Sequence, residues 1–455
     1  MGRNLIRRSD IMSRVERLIA NSDDDVDVIA IMNGGEPFLD STFWYITEQC
    51  SGCFEGAMAF VSRDGRLDVV VSQLEAEIAK GGKGDVHVYA TAEERNDYVK
   101  DILKGCKKVG INSDAALYSM VNYFKRMNDG IEVVDSLPAI NATVNVKERS
   151  EIDTISKACD ISSKVASKLP EMISEGVSEA EVASEMDVMM RRLGGTGNAF
   201  DTIAAFGPYS AEPHHTPCDY RLKRGDAALF DFGSRFGRYC SDLTRTIFLG
   251  EPVEKLKRAY EIVLNAQEAG IERIRPGAKA SEVDAAAREL IDSTEFKGLF
   301  IHSFGHGIGM DVHQNIHVSP RSEHVLEEGN VISAEPGIYI PGVGGIRIED
   351  TILVTKDGCR RLTSYDHSFT VVSFRCSIVM RCLSPASSIE EQSPSILPIF
   401  MTGYFDTGLP SSPLNGVGPK NRHNACALGQ YAISPASRTV TSSPDMPISV
   451  RGNSK

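Results

Sequence analysis

Histidine is concentrated in one part of this chain. Residues 302–313 read HSFGHGIGMDVH and contain His302, His306 and His313. Seven of the ten histidines in the 455-residue chain lie between positions 214 and 324. An imidazole can bind a metal ion, transfer a proton or pack in a core. The glycines on either side of His306 allow close approach to it, which favours a chemical role for this stretch.

Four carboxylates lie within apolar, strand-like segments. Asp231 and Asp242 are 11 residues apart in ALFDFGSRFGRYCSDLTRT, and Glu335 and Glu349 are 14 residues apart in SAEPGIYIPGVGGIRIEDT. A buried carboxylate is costly unless it is paired or bound to a metal ion, and four of them together would repel one another. Divalent cations would supply the missing positive charge.

His306 and the four carboxylates form a hard, oxygen-rich ligand set. Such a set suits Mn, Co, Zn or Fe(II) better than an ion that prefers thiolates. A single catalytic zinc usually takes three protein ligands, whereas two cations about 3.5–4 Å apart and bridged by carboxylates would use all five. The residue types therefore predict a centre with two divalent metal ions, without specifying the metal.

The elements that must position these residues belong to two regions. From 12 to 146, β-rich runs at 26–32, 56–62 and 66–72 alternate with helical segments, which predicts a smaller α/β domain. From 147 to 370, amphipathic helices in pairs alternate with antiparallel-looking strands. This second pattern predicts an α+β domain, and it contains every candidate ligand.

The second region has recognisable element boundaries. Residues 178–181 read SEAE, a capping box that begins a helix. Two further helices are expected at 256–274 and 281–291, and apolar strands at 239–250 and 345–355. Each of these two strands contains one candidate carboxylate ligand.

Residues 371–455 differ in composition from the rest of the chain. Positions 376–455 hold 14 serines and 9 of the 20 prolines but only four of the 62 acidic residues. No sustained periodicity is present. This composition is typical of a disordered or atypical tail, to which we assign no function.

The overall composition disfavours several kinds of partner. With a net charge of −13 and no evident basic patch, a nucleic-acid partner is not expected. No apolar run approaches the roughly 20 residues of a membrane helix, and the N-terminal segment lacks the apolar core of a signal peptide. Ten cysteines without a disulfide-like spacing are typical of the reduced cytoplasm, which we expect as the compartment.

Taken together, the motifs resemble those of the pita-bread metallopeptidases. They are DFG followed after eight residues by DLTRT, then GHGIG, EPGIYIP and GIRIED. The resemblance covers about residues 200–355, and the flanking helices extend it back to about 147. The preceding region, with its DSTFWYIT segment, resembles the N-terminal domain of the creatinase, aminopeptidase P and prolidase branch. The resemblance therefore implies a pita-bread catalytic domain preceded by a smaller creatinase-N-like α/β domain.

The resemblance also implies a role for each candidate ligand. Asp231 would chelate one of two metal ions, and Asp242 and Glu349 would bridge both. His306 and Glu335 would complete the shell of the other ion. The ions would activate a water molecule as the nucleophile, and Glu335 would accept its proton and pass it to the leaving amine.

Five further residues match family positions outside the ligand set. His214, in AEPHHTP, would contact the substrate, and His313 would stabilise the tetrahedral intermediate. His302 matches a histidine of the aminopeptidase P and prolidase branch and is a catalytic candidate. Tyr339 and Arg347 match supporting residues beside the two Glu ligands. Tyr339 is a candidate for substrate binding, and Arg347 would act in catalysis or pair with a carboxylate for structural reasons only.

The implied activity is removal of an N-terminal residue that precedes proline. Some prolidases carry an arginine eleven residues beyond the metal histidine, suited to holding a dipeptide's carboxylate, but His317 stands at that position here. In addition, Gln314 replaces the usual glutamate after His313. We therefore expect an Xaa-Pro aminopeptidase, with an Xaa-Pro dipeptidase as the alternative if another basic residue such as Arg321 holds the carboxylate.

Three other functions on this fold are less well supported. A creatinase-like hydrolase without metal and a non-catalytic peptide-binding relative would both be expected to lack ligands, and all five are present. A methionine aminopeptidase is disfavoured by the long N-terminal region. The expected partner is a peptide with proline at its second position, and relatives with this two-domain layout suggest a homodimer.

Overall fold

In a computed structural model that describes residues 12–373 and 439–442, the N-terminal region is built around one mixed sheet. Its strands are β1 (Val28–Met32), β2 (Met58–Ser62), β3 (Leu67–Ser72), β4 (Asp85–Tyr89), β5 (Lys108–Ile111) and β6 (Glu132–Asp135). They lie in the order β4-β3-β2-β1-β5-β6. The central strand β1 pairs antiparallel with β2 and parallel with β5. The strand runs predicted at 26–32, 56–62 and 66–72 are thus all present.

Both faces of this sheet are buried. The helices of this region are α1 (Arg14–Asn21), α2 (Ser41–Thr47), α3 (Ala76–Ala79), α4 (Ala92–Ile102), α5 (Tyr118–Met127) and α6 (Leu137–Asn145). Successive side chains of a strand point to opposite faces, and Val28 and Ala30 accordingly join one buried cluster while Ile29 and Ile31 join another. The second cluster also contains Ile152 from the following region, so one face of the sheet packs against the rest of the chain.

The helices after residue 146 form two groups. They are α7 (Arg149–Ala166), α8 (Leu169–Met172), α9 (Glu179–Arg192), α10 (Glu254–Ile271) and α11 (Ala280–Asp292). The predicted capping box of α9 is present, because Ser178 Oγ accepts from the Glu181 N–H and the Glu181 carboxylate accepts from the Ser178 N–H. α10 and α11 overlap the two helices predicted at 256–274 and 281–291.

Fifteen short strands accompany these helices in the described residues. They are β7 (Gly197–Asn198), β8 (Ile203–Phe206), β9 (Ala227–Phe232), β10 (Ser234–Phe236), β11 (Tyr239–Cys240), β12 (Leu243–Leu249), β13 (Gly305–Gly307), β14 (Gln314–Val318), β15 (Val331–Ala334), β16 (Gly337–Ile340), β17 (Gly344–Arg347), β18 (Asp350–Thr355), β19 (Gly358–Arg361), β20 (Thr370–Ser373) and β21 (Thr439–Ser442). One sheet has the order β21-β20-β12-β9-β8 and a second has the order β14-β13-β15-β18-β19. Two smaller sheets are β11-β10-β7 and β16-β17.

Each large sheet packs against its own group of helices. Buried residues of α7, α8 and α9 form one cluster with β8, β9 and β12. Buried residues of α10 and α11 form another cluster with β14, β15 and β18. Such paired helix-on-sheet layers bury the apolar stripe of each helix and one face of each sheet. The result is the α+β organisation that the sequence pattern predicted.

Two predicted strands are interrupted where the sequence suggested continuous runs. The run 239–250 is divided into β11 and β12, with the break at Ser241 and Asp242. The run 345–355 is divided into β17 and β18, with the break at Ile348 and Glu349. Apolar periodicity does not reveal these breaks, because the residues on either side remain buried.

The C-terminal part differs in one respect from its prediction. β20 extends to Ser373, beyond the expected boundary at 370, because its backbone pairs in parallel with β12 through Phe248 and Val371. Residues 439–442 add the neighbouring strand β21. The disorder predicted for the remainder of 371–455 falls outside the described residues. None of the helices within 12–373 combines the length and apolar character needed to cross a bilayer.

Candidate active site

A cavity of about 260 Å³ collects most of the residues predicted from the sequence. The predicted residues that line it are Asp231, Asp242, Glu335, Glu349, His306, His214, His302, His313 and Arg347. They lie between positions 214 and 349 of the chain. Tyr339 is the predicted site residue that does not line the cavity.

Three of the carboxylates lie at breaks between strands. Asp242 precedes β12, Glu335 lies between β15 and β16, and Glu349 lies between β17 and β18. At each break the backbone N–H donates to another segment of the chain. The acceptors are Thr351 Oγ1 for Asp242, the Phe304 carbonyl for Glu335 and the Thr244 carbonyl for Glu349. The breaks therefore bring three carboxylates to one point without leaving backbone donors unsatisfied.

The ligand atoms approach one another around His306. His306 Nε2 lies 3.3 Å from Glu335 Oε1 and 3.5 Å from Asp242 Oδ2. One ligand atom from each of Asp242, His306 and Glu349 lies within 4.8 Å of the other two. Asp231 joins this group from within β9 and also lines the cavity.

Three carboxylate oxygens in this group are buried without a hydrogen-bond partner. They are Asp231 Oδ1, Asp242 Oδ1 and Glu349 Oε1. Buried polar atoms are almost always paired, so unpaired oxygens at one point indicate a missing partner. Divalent cations bound by carboxylates and an imidazole would satisfy them, and the donor set fits such ions.

The electrostatics of the site are consistent with missing cations. Burial, together with repulsion from neighbouring carboxylates, holds the pKa of Asp242 and of Glu349 well above the ordinary range. Burial also raises the pKa of Asp231, although the Arg347 charge opposes the shift. For Glu335 burial is outweighed by the hydrogen bond and charge of His306, which lower its pKa to about 2. A cation would favour the ionised form of all four carboxylates.

Two hydroxyl groups orient the ligands, and the sequence patterns did not identify them. Thr244 Oγ1 donates to Glu349 Oε2 at 2.6 Å and accepts from Arg347 Nε at 3.1 Å. Ser333 Oγ donates to Glu335 Oε1 at 3.1 Å and accepts from the His306 N–H at 2.9 Å. Thr244 belongs to the LTRT motif, which could have identified it, whereas nothing distinguishes Ser333 in the sequence.

Gly305 permits the close approach of two strands beside His306. A Cβ atom at Gly305 would lie 2.1 Å from the Ser333 carbonyl oxygen, far inside van der Waals contact. This residue has no positive φ in the structure. Close backbone approach, rather than an unusual backbone conformation, is therefore the reason for this glycine.

Arg347, Tyr339 and His302 form a hydrogen-bonded chain. Arg347 Nη1 donates to the Tyr339 hydroxyl at 2.8 Å, and that hydroxyl lies 2.8 Å from His302 Nε2. His302 Nδ1 lies 2.9 Å from the Ser303 carbonyl, which can only accept, so Nδ1 carries the proton and Nε2 accepts from Tyr339. Both ring nitrogens of His302 are thus already engaged. Burial lowers the pKa of His302, which favours this neutral form.

The structure changes the interpretation of two predicted residues. Tyr339 is only 3% exposed, and its hydroxyl serves His302 and Arg347, so it does not present a substrate-binding group to the cavity. Arg347 lines the cavity, but its guanidinium donates to Asp231, Tyr339 and Thr244. Arg347 thus pairs with the Asp231 carboxylate, and its role in catalysis stays a prediction.

Three other histidines line the cavity. They are His214, His313 and His317. The His313 ring lies edge-to-face with the His306 ring at a centroid distance of 4.3 Å. Burial and the neighbouring His306 charge lower the pKa of His313. His317 pairs with His306 across β13 and β14, whereas Arg321 does not line the cavity.

Comparisons with known proteins identify the family to which this chain belongs. The family model described as metallopeptidase family M24 matches residues 153–356. An Xaa-Pro dipeptidase from Pyrococcus furiosus is 42% identical over 293 residues, which are 64% of this chain and 83% of that relative. The solved structure of the prolidase from Pyrococcus furiosus has a TM-score of 0.68 at 38% identity and covers 75% of this chain and 97% of that one. An X-Pro aminopeptidase from Thermotoga maritima has a TM-score of 0.73 at 30% identity, covering 79% and 100% respectively.

These similarities extend well beyond the ligand motifs. The two solved structures are matched over nearly their whole length, and the matches cover 75% and 79% of this chain. They confirm the predicted α+β pita-bread fold and the resemblance drawn from the motifs. The chain belongs to metallopeptidase family M24.

Proposed function

We propose that this chain hydrolyses the peptide bond between an N-terminal residue and proline, with two divalent cations as cofactors. The observation that carries the proposal is the group of partnerless carboxylate oxygens that faces His306 in one cavity. The names of the relatives, which include Xaa-Pro dipeptidase and X-Pro aminopeptidase, supply the substrate class. Asp231, Asp242, Glu349, His306 and Glu335 would hold the cations, for which Mn, Co and Zn all suit the donor set.

The cations, when bound, would acidify a water molecule and polarise the scissile carbonyl. Residues of this chain then transfer the proton and stabilise the developing charge. Glu335, which is ionised beside His306, accepts the proton of the attacking water and returns it to the leaving proline nitrogen. His214 and His313 line the cavity. His214 would contact the substrate there, and His313 would stabilise the negative charge that develops on the carbonyl oxygen.

Arg347, Tyr339 and His302 act through the groups they hold. The Arg347 guanidinium fixes Asp231 and, through Tyr339, the ring of His302. Because both nitrogens of His302 are engaged, we assign it a positioning role at the cavity wall. This arrangement would hold Asp231, one of the proposed ligands, in place.

Within the Xaa-Pro class we favour a dipeptidase. The relative that is 42% identical to this chain is named Xaa-Pro dipeptidase, which supports this choice. The sequence led us to expect an aminopeptidase because position 317 holds histidine where some prolidases have arginine. However, His317 itself lines the cavity, and an imidazole N–H can donate a hydrogen bond to a carboxylate.

Paired substrates test both the class and the choice within it. Metal-stripped protein is given Mn, Co or Zn and assayed on an Xaa-Pro dipeptide and an Xaa-Pro-Xaa tripeptide, each with an alanine-for-proline control. We expect metal-dependent cleavage of the dipeptide and little cleavage of either control. Cleavage of the tripeptide alone would establish an aminopeptidase, and no metal-dependent cleavage of any substrate would reject the Xaa-Pro proposal.

Two substitutions at one position test the carboxylate anchor. His317→Ala should lower kcat/KM on the dipeptide by about tenfold or more, since a hydrogen bond to a charged group contributes roughly 1.5–3 kcal/mol. His317→Arg should preserve or raise it, because a guanidinium holds a carboxylate through two hydrogen bonds. Neither change should alter cleavage of the tripeptide. Equal losses on the two substrates would show that His317 does not recognise the dipeptide carboxylate.

We also propose that the active protein is a homodimer in the cytoplasm, as the sequence resemblance and cysteine pattern suggest. Analytical ultracentrifugation of the full chain tests the first point. A monomer that retains full activity would contradict it. Cell fractionation with an antibody to the full chain tests the second.

A further inference from the structure

A second cluster of metal-ligating side chains lies outside the active-site cavity. Glu179 is the first residue of α9 and is fully buried, while His215 and Cys218 belong to the segment after β8. One ligand atom from each of the three residues lies within 4.8 Å of the other two. Among the described residues, the other trio that meets this distance is Asp242, His306 and Glu349 in the active site.

The His215 nitrogen and the Cys218 sulfur both contact the same carboxylate oxygen of Glu179. Glu179 Oε2 lies 2.8 Å from His215 Nε2 and 3.1 Å from Cys218 Sγ, and it also accepts from the Cys218 N–H at 3.0 Å. Glu179 Oε1 accepts from the Phe206 N–H at 2.7 Å, which holds the carboxylate in place. The thiol of Cys218 and the imidazole of His215 thus form hydrogen bonds to the Glu179 carboxylate. Once these protons are removed, the same three groups are placed to bind a cation.

The outer shell of His215 provides an independent observation. Its second nitrogen, Nδ1, lies 2.9 Å from Glu212 Oε2. A histidine that binds a metal ion almost always donates its other N–H to a carboxylate or carbonyl in this way, which fixes the ring and raises its basicity. The Tyr209 ring stacks on the His215 ring at a centroid distance of 4.9 Å and restrains it further. Cys218 is solvent-accessible, so a cation has a route to the buried pair.

We propose that Glu179, His215 and Cys218 form a second metal site, selective for a thiolate-preferring divalent cation such as Zn²⁺. One sulfur, one nitrogen and one oxygen ligand match the tetrahedral zinc chemistry of proteins, with a fourth position left for water. The cation replaces the thiol proton of Cys218 and the proton between His215 and Glu179, and both protons pass to solvent. Mn²⁺ binds thiolate poorly, which separates this site from the oxygen-rich active centre.

The position of the site gives it a structural consequence. His214, which lines the active-site cavity, is adjacent in the chain to His215. A cation that joins His215 to α9 would therefore fix the segment that carries His214. The site does not depend on the proposed peptidase activity, since none of its three ligands lines the active-site cavity.

Cobalt spectroscopy tests the assignment in the full chain. Co²⁺ added to metal-stripped protein produces a thiolate-to-cobalt charge-transfer absorption only where a cysteine binds it, and the active centre has no cysteine ligand. We expect this absorption in the natural chain, its removal by added Zn²⁺, and its loss in Cys218→Ser and in His215→Gln. Asp242→Asn, altered in the active centre, is the matched control and should retain it.

Two results would overturn the proposal. Equal absorption in the natural chain and in Cys218→Ser would place any cobalt–thiolate contact at another cysteine, and absorption retained in His215→Gln would exclude the trio. Because a variant can fail to fold, a second measurement uses the unaltered chain. Zn²⁺, but not Mn²⁺, should slow alkylation of Cys218 at least about tenfold, as followed by peptide mass spectrometry, and an unchanged rate would reject the site.

Discussion

Glu349 and Asp350 are neighbours in the chain, and both are fully buried, yet their surroundings differ completely. Glu349 Oε2 accepts one hydrogen bond from Thr244, and Glu349 Oε1 has no partner. Asp350 is surrounded by donors on both oxygens. These donors are Arg245, Gln267, Arg361, Thr363 and His367.

The pKa values of the two carboxyl groups follow this difference. Burial and the nearby carboxylates hold the pKa of Glu349 well above its usual range. For Asp350, burial is outweighed by the Arg245 charge and by the hydrogen bond and charge of His367, which lower its pKa. The protein therefore compensates the charge of Asp350 by itself, whereas the charge of Glu349 is left for the proposed cations to compensate. A buried carboxylate whose charge the protein leaves uncompensated is the better candidate for function.

The LTRT motif supports both sides of this comparison. Thr244 faces Glu349 and Arg347, while Arg245 donates to Asp350 and to the Glu349 carbonyl. Successive side chains of β12 point to opposite faces of the sheet. Thr244 therefore contacts the proposed ligand Glu349, and Arg245 contacts Asp350. Removing the charge of Glu349 should therefore lower catalytic activity, whereas removing the charge of Asp350 should lower stability.

Glu349→Gln should have the largest effect, and that effect should be on activity. A neutral amide cannot replace the carboxylate that we propose as a ligand bridging two cations, so we expect kcat/KM on an Xaa-Pro substrate to fall by more than the roughly 10–100-fold that changes in outer-shell groups cause. Metal content should fall as well. Full activity with full metal content would remove Glu349 from the ligand set.

Asp350→Asn should have the next largest effect, and that effect should be on stability. The change leaves Arg245, which is 1% exposed, as an uncompensated buried charge. Removing one partner of a buried ion pair typically costs about 3–5 kcal/mol. Urea denaturation of the metal-free chain measures this cost. Glu349→Gln in the same assay should leave the metal-free chain equally stable or make it more stable, because it removes a buried carboxyl group with a raised pKa. A larger loss of stability in Glu349→Gln than in Asp350→Asn would contradict the comparison.

The metal-free protein should lose stability as the pH rises above about 5. The pKa values of Asp231, Asp242 and Glu349 are raised in the folded state, whereas unfolded carboxyl groups titrate near 4. The folded chain therefore binds more protons than the unfolded chain, and the free energy of unfolding falls with increasing pH.

Glu335 and Asp350 have lowered pKa values and act in the opposite sense, but their contribution is complete by about pH 5. Between about pH 5 and 7 the lowered pKa values of His302 and His313 also oppose the fall in stability, whereas the raised pKa of His306 adds to it. We expect the three carboxyl groups to set the net sign.

Denaturation curves of metal-free and metal-loaded protein from about pH 5 to 8 measure this slope. One pKa shift of a full unit corresponds to about 1.4 kcal/mol, so the slope is measurable. Bound cations should flatten it because they favour the ionised carboxylates. Glu349→Gln should reduce the slope, whereas Asp350→Asn should leave it unchanged. A metal-free protein whose stability rises across this range would refute the proposed electrostatics of the site.

Tyr339→Phe should have the smallest effect. It removes one hydroxyl that links Arg347 to His302, and a single hydrogen bond contributes about 1 kcal/mol, or roughly fivefold in kcat/KM. Burial raises the pKa of Tyr339 to about 12, so the hydroxyl is neutral at working pH and the pH profile should keep its shape. A loss comparable to that of Glu349→Gln would indicate a direct catalytic role for the hydroxyl.

The sequence alone was sufficient to identify the five candidate ligands and the two regions of the chain. Residue type and spacing identified His306 and the four carboxylates, because carboxylates within apolar strands need either a cation or a buried partner. Apolar periodicity located α9, α10 and α11, and runs of β-favouring residues located β1, β2 and β3. These features depend on neighbours close in the chain, which a sequence displays directly.

Only the tertiary structure decided how each charge is compensated. Thr244 and Glu349 are 105 residues apart, as are Arg245 and Asp350, and no local pattern pairs them. The same is true of Glu179 with His215, and of the strand breaks at Asp242 and Glu349, which depend on backbone donors finding acceptors in distant strands. Hydrogen bonds and ion pairs between distant segments exist only once the sheets are assembled. Sequence spacing could therefore name Glu349 as a candidate ligand, but it could not show which donors compensate the neighbouring Asp350.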